Sequence, residues 1–135
     1  GDNSFSLVTC IGSLEHVPNP HNAVKEMARV LDRDGKAFIF VPNSYFIGHM
    51  YLVWKTGNPP DEGGQYFSER FRTRWEWQRL LENGGLNVLG IKKFNNVLTS
   101  RRFGTLTRYF YHIFLRPFVP LNLSYAFGFL CEARH

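Results

Sequence analysis

SFSLVTCIGSLEHVPNPHNAVKEMARVLDRDGKAFIFVPN, residues Ser4 to Asn43, decides the fold. Phe5 to Ile11 is a short apolar run rich in β-formers, the composition of a buried parallel strand. Val24, Met27, Ala28 and Leu31 recur at helical spacing and predict a helix over Asn22 to Leu31. Asn19 suits the cap before it. Pro20 suits the first helical position, where its missing N–H would be unpaired anyway. Asp32-Arg33-Asp34-Gly35 ends the helix, with Gly35 expected to supply a positive φ for a tight exit. Lys36 to Pro42 is the second apolar run. Strand, helix and strand make a βαβ unit with a right-handed crossover. In open parallel sheets ligands bind outside the carboxyl ends of the strands. Those ends are the loop Ile11 to Pro20 and the loop that starts at Pro42.

Beyond the unit, Tyr45 to Trp54 is almost entirely apolar, interrupted by Gly48 and His49. Its ten residues fit either a lid over a site or an extra core helix. GNPPDEGG after it is turn chemistry. Arg74 to Glu82 predicts a helix with Trp77, Leu80 and Leu81 on one face, stopped at Asn83-Gly84-Gly85. Asn87 to Phe94 alternates as a strand does. Ser124 to Ala133 is a last strand. Between these two, Leu106, Tyr109, Phe110, Ile113 and Phe114 fall at helical spacing among Arg101, Arg102, Arg108 and Arg116. An aromatic face beside cations suits contact with an anionic membrane over Phe103–Phe118, or a helix packed on its own sheet with solvated arginines.

Composition bounds the partners. At 135 residues the chain supports one domain. A net charge of +5 points to anionic surfaces, while the basic segment is too apolar and unpatterned for a nucleic-acid binder. Cys10 and Cys131 sit in apolar runs, as buried reduced thiols do, and no metal-ligand spacing occurs. No apolar run is long enough to span a bilayer and no signal peptide is visible. The expected setting is the cytoplasm or an organelle matrix, peripheral to a membrane.

NSFSLV, LEHVPNP, KEMARVL, DRDG and VPN follow one another in an order and spacing that resemble the class I S-adenosylmethionine-dependent methyltransferases, in particular the ubiquinone-biosynthesis O-methyltransferases of the methyltransferase type 11 group. The likeness covers the first 43 residues well and Phe67 to Lys93 more loosely, where GGLNV stands for the family's aromatic-containing turn. It implies an α/β fold, the C-terminal half of a Rossmann-like methyltransferase domain. The sheet is then mixed, its last strand antiparallel between the two before it. The family's opening strand, glycine-rich turn and helix have no counterpart here. The resemblance therefore implies a partial domain: 1–43 the βαβ core, 44–66 an insertion or lid, 67–96 a helix and strand, 97–123 a basic aromatic insertion, and 124–135 the last strand.

The implied cofactor is S-adenosylmethionine, contacted by Cys10, Ile11, Gly12, Glu15 and His16. His16, poised to titrate near neutrality, is the candidate general base. Glu15 and His16 alternatively serve only to stabilise their loop. In the relatives an acidic residue three before the Glu completes a divalent-metal set. Gly12 stands there, so no metal site is expected. Asn43, Ser44 and Tyr45 are candidates to face a small acceptor, hydrophobic and phenolic or lipid-linked. The other histidines, His21, His49, His112 and His135, read as surface or packing residues. The parent domain is expected to transfer methyl groups, and the isolated chain to be inactive for want of the glycine-rich loop. The alternative is a truncated, non-catalytic relative acting as an interaction or membrane-surface module. The open edge of the first strand invites self-association.

Overall fold

The computed structural model describes residues 1–57, 72–95 and 116–134. Most of the basic aromatic segment, most of the GNPPDEGG loop, His112 and His135 lie outside the described residues.

The βαβ unit forms as its periodicity predicts. Strand β1 (Phe5–Ile11), helix α1 (Pro20–Val30) and strand β2 (Leu31–Pro42) follow in order. The two strands pair in parallel, Val8 with Ala37 through Ile11 with Phe40. Asn19 caps α1 by accepting the Asn22 N–H on its side chain, with Pro20 at the first helical position. The exit from α1 differs from expectation. Gly35 does not adopt a positive φ, and Leu31 already pairs with Phe5. Asp32 to Gly35 instead bulge out of β2, because β2 advances from Leu31 to Lys36 while β1 advances only from Phe5 to Leu7. Gly35 is needed for closeness: a Cβ there would lie 2.9 Å from the Phe5 carbonyl oxygen.

Helix α2 (Ile47–Thr56), helix α3 (Arg74–Asn83), strand β3 (Leu86–Phe94) and strand β4 (Ala126–Ala133) complete the described elements, with short turns of 3-10 helix at Leu14–His16, Arg116–Phe118 and Leu121–Leu123. The sheet order is β1-β2-β4-β3, and β4 runs antiparallel to both neighbours. This is the mixed sheet expected, with the last strand inserted between the two before it.

One face of the sheet carries the core. Ala37, Ile39, Val41, Phe127, Phe129 and Cys131 meet Val24 of α1 and Trp77 and Leu81 of α3, all buried. Gly84 lets the helices approach, since a Cβ there would lie 2.4 Å from the Val24 side chain. The opposite face bears Phe38, Phe40 and Phe94, their rings edge to face at 5.1 to 6.4 Å, and then Phe5, Leu7 and Ile11 of β1, each more than half exposed. Helix α2 is not a core helix. Phe46 anchors its start, while Ile47, Met50, Tyr51, Val53 and Trp54 are exposed.

Two outcomes test this packing. Trp77 is fully buried and its indole N–H donates to the Pro42 carbonyl at 2.8 Å. Trp77→Phe keeps an aromatic six-membered ring but loses the five-membered ring with its N–H, orphaning that carbonyl and leaving a small cavity, and should lower unfolding stability by about 1–3 kcal/mol; an unchanged urea midpoint would refute the role of this side chain. Burial, reinforced by the Glu82 charge, pushes the Cys131 thiol up to about 12. Burial and the Glu15 charge also raise Cys10. Iodoacetamide at about pH 8, near the ordinary thiol value, should label neither cysteine until the chain is unfolded.

Candidate functional site

The carboxyl ends of β1 and β2 open at the same end of the sheet, since Ile11 pairs with Phe40. The amino end of β4 and the carboxyl end of β3 lie there too, because Ala126 pairs with both Pro42 and Phe94. Among the described residues, this end is built from the loops after β1 and β2, the entry to α3, Asn95 after β3 and the segment leading into β4.

The loop after β1 is shaped by two features. Gly12 extends the parallel ladder by donating its N–H to Phe40 O at 3.1 Å, then turns at φ +59°, a conformation that favours glycine. Leu14, 1% exposed, plugs the following turn into the core. The turn splits the two chemical residues. Glu15 is buried at 6% exposure and its charge reaches Cys10. The His16 side chain is 38% exposed, with Nε2 4.0 Å from Glu15 Oε1. Cys10 is buried and Ile11 exposed. The five residues expected at the cofactor therefore share one outlet, with Ile11 and His16 outward and Cys10 and Glu15 inward. No group of three metal-ligating side chains occurs among the described residues.

The loop after β2 is tied down by Asn43. Its side chain is 1% exposed, and its Nδ2 donates to the carbonyls of Asn122 at 2.9 Å and Ser124 at 2.7 Å. Its Oδ1 accepts the Tyr45 N–H at 3.0 Å. Its backbone bridges in parallel to Arg72, whose carbonyl also accepts the Ser44 N–H. Through its side chain and its backbone, one residue thus fastens the end of β2 to two segments remote in sequence. Both its N–H bonds are committed, so its contribution is to hold the walls around it.

Those walls enclose a cavity of about 290 Å³ lined by Asn43, Tyr45, Met50, Thr73, Arg74, Trp75, Asn122 and Leu123. Of the three acceptor-side candidates, Asn43 and Tyr45 border it, while Ser44 does not line it. Residues Cys10 to His16 are not among its lining either, so the outlet and the cavity are two sites on one sheet end. Sequence reasoning missed Arg74, Trp75 and Asn122. The entry to α3 had a readable signal: Thr73 and Glu76 form a capping box, Glu76 N donating to Thr73 Oγ1 and Thr73 N to Glu76 Oε2. The charge of Glu76 is favoured accordingly, its pKa lowered by the hydrogen bonds its carboxylate accepts from Thr73 N and Thr73 Oγ1.

This geometry matches known proteins. A family described as a methyltransferase domain matches residues 1–90. A ubiquinone biosynthesis O-methyltransferase of Coxiella burnetii is 30% identical over 90 residues, which cover 64% of this chain and 38% of that protein. Among solved structures, an S-adenosylmethionine-dependent methyltransferase of Thermotoga maritima superposes with a TM-score of 0.59 at 18% identity, covering 99% of this chain and 58% of that one. The 1,6-didemethyltoxoflavin-N1-methyltransferase of Burkholderia thailandensis, solved with S-adenosylhomocysteine, gives 0.58 at 15% identity, covering all of this chain and 46% of that one. The chain thus spans well under two thirds of the length of these proteins. With residues 1–90 matched and the mixed sheet shared, this chain belongs to the methyltransferase domain family.

Proposed function

We propose that this chain supplies the acceptor side, and one edge of the cofactor site, of an S-adenosylmethionine-dependent methyl transfer to a small hydrophobic acceptor. The observation that carries the reading is the parallel β1–β2 outlet, with Gly12 turned left-handed and Glu15 buried beside Cys10. The residues there fit one side of such a cofactor. Gly12 leaves room at the strand end, where the nearest atom to an added Cβ is Glu15 Oε1 at 3.8 Å. The buried carboxylate suits a cationic sulfonium. When bound, the cofactor supplies a methyl group already activated by positive sulfur.

Methyl transfer needs orientation, water exclusion and removal of one proton. Ile11 and Gly12 orient the donor side. Tyr45 and Met50 shield the acceptor cavity. His16, outside that cavity at the β1 outlet, takes the proton of an acceptor hydroxyl that reaches out of the cavity to it, and the Glu15 carboxylate 4.0 Å away stabilises the imidazolium so formed. Titration of the isotope-labelled chain with S-adenosylmethionine should shift the amide resonances of Ile11, Gly12, Glu15 and His16 and leave β3 unmoved. Binding should be weak, because the sequence has no glycine-rich strand–turn–helix to hold the methionine end. Tight binding, or shifts centred elsewhere, would overturn the reading.

A second reading is favoured by α2. Ile47, Met50, Tyr51, Val53 and Trp54 are exposed along ten residues whose one charge is Lys55, a pattern that calls for an apolar partner. On this reading α2, with Phe118 at 82% exposure, docks the basic chain on an anionic membrane surface. Phe103–Phe118, apart from its last three residues, lies outside the described residues, and no helix among the described residues is long and apolar enough to cross a bilayer. The exposed β1 edge offers self-association as a further contact. In flotation at low salt, the chain should rise with anionic vesicles and stay below with zwitterionic ones, and Trp54→Gln should cut the floated fraction. A chain that stays at the bottom with both removes this reading.

A further inference from the structure

We infer that Lys93, on the edge strand β3, is a positioning residue for the acceptor cavity. Its ammonium fixes the start of residues 117–125, the irregular segment that carries one wall of the cavity and ties α2 to α3. The inference rests on the acceptor-cavity reading above and adds a residue, remote from the cavity lining, that sets its shape.

Residues 117–125 have little hold on themselves. Pro117 and Pro120 bring no N–H. The segment bonds to itself through Leu123 N–H to Pro120 O at 3.0 Å, Ser124 N–H to Leu121 O at 3.2 Å and Ser124 Oγ to the same oxygen at 2.7 Å. Its place is given from outside, by three side chains that bond its backbone. Lys93 Nζ donates to Pro117 O at 2.9 Å and to Val119 O at 2.8 Å. Asn43 Nδ2 holds the carbonyls of Asn122 and Ser124. Asn95 Oδ1 accepts the Tyr125 N–H at 3.1 Å. Lys93 thus grips the amino end, Asn43 the middle and Asn95 the carboxyl end. Of the three, Lys93 alone is charged, and a hydrogen bond from an ionised donor is roughly twice as strong as a neutral one. Its bond to Val119 is partly buried, with Val119 itself 8% exposed, so solvent screens it less. Lys36 meets a carboxylate, Glu132. Lys93 instead spends its charge on two backbone carbonyls, which is the work of an anchor.

What the segment carries explains why its position matters. Asn122 Oδ1 accepts the Arg74 Nε–H at 2.8 Å, at the start of α3. The Tyr125 ring packs edge to face on Phe46 at 5.4 Å, at the start of α2. Asn122 and Leu123 line the cavity between them. A shift of the segment's amino end therefore moves that wall and its ties to both helices, although Lys93 itself does not line the cavity.

The test uses the whole 135-residue chain. It follows solvent exchange of the Arg74 Nε–H and the Ser124 N–H, and phenol binding through the Trp75 and Tyr45 ring resonances. Lys93→Met keeps the stem and removes the charge. Both N–H groups should then exchange about tenfold faster, the size of one charge-assisted hydrogen bond. Phenol should bind about threefold or more weakly. The Gly12 N–H, bonded to Phe40 O in the parallel ladder, should keep its rate. Lys93→Arg should restore part of both effects. Lys92→Met removes the same charge from the opposite face of the strand and should produce neither. Unchanged exchange in Lys93→Met, or equal effects from Lys92→Met, overturns the assignment and leaves the cavity reading standing. If phenol moves neither ring in the unaltered chain, the cavity reading falls and the positioning role falls with it. The unaltered chain decides even if Lys93→Met fails to fold: its Lys93 ammonium protons should exchange about tenfold more slowly than those of Lys92, and equal rates overturn the assignment.

Discussion

The parallel ladder between Val8–Ile11 and Ala37–Phe40 is the constraint on which the rest of the molecule depends. Parallel strands need a crossover, and α1 provides it, burying Val24 against α3 while Ala37, Ile39 and Val41 hold the sheet side of the same core. Parallel pairing also sends both chain exits to one end. A strand pair of opposite sense would place the Glu15–His16 turn and the Asn43 junction at opposite ends of the sheet. Asn43 then extends the order of the ladder past its last residue. Its amide captures two carbonyls of the segment entering β4, and its backbone captures the approach to α3. Cavity walls from three distant segments become one rigid surface because β2 ends where it does.

The two faces of the sheet differ sharply. One is packed by α1 and α3. The other presents the aromatic group Phe38, Phe40 and Phe94 above Gly128, where an added Cβ would lie 2.6 Å from the Phe94 ring. Toward β1 that face grows more exposed, through Ile11 at 62% and Leu7 at 61%. β1 is also an edge strand, with one side of its backbone unpaired within this sheet. The described residues fold around one well-built core and leave a second apolar surface uncovered.

How much of this was legible from the amino acids follows from the range of each signal. The βαβ unit was readable because its cues are local: two apolar runs, a helical repeat, and Asn19-Pro20 before it. The antiparallel insertion of β4 came through family likeness, since nothing in Ala126–Ala133 names its neighbours. Gly35 was misread because glycine answers two demands, positive φ and close approach, and the sequence does not say which; the Phe5 carbonyl beside it decides. Helix α2 was ambiguous for a related reason. An apolar run states what it avoids and leaves open what covers it. The cavity was least legible. Arg74 and Asn122 are 48 residues apart, and their meeting depends on Asn43, a third residue with no motif of its own.

Electrostatics at this sheet end now has a division that neither site shows alone. Glu15 places a negative charge inside the β1 outlet, strong enough at Cys10 to add to the effect of burial on that thiol. Arg74 places a positive charge on the wall of the cavity beyond β2. Opposite charges at the two places favour ligands of opposite sign, since like charges in a partly desolvated site repel strongly. His16 stands at the same outlet, its Nε2 4.0 Å from Glu15 Oε1. The two loops at this sheet end thus differ in charge as well as in shape, the one after β1 carrying Glu15 and the wall beyond β2 carrying Arg74.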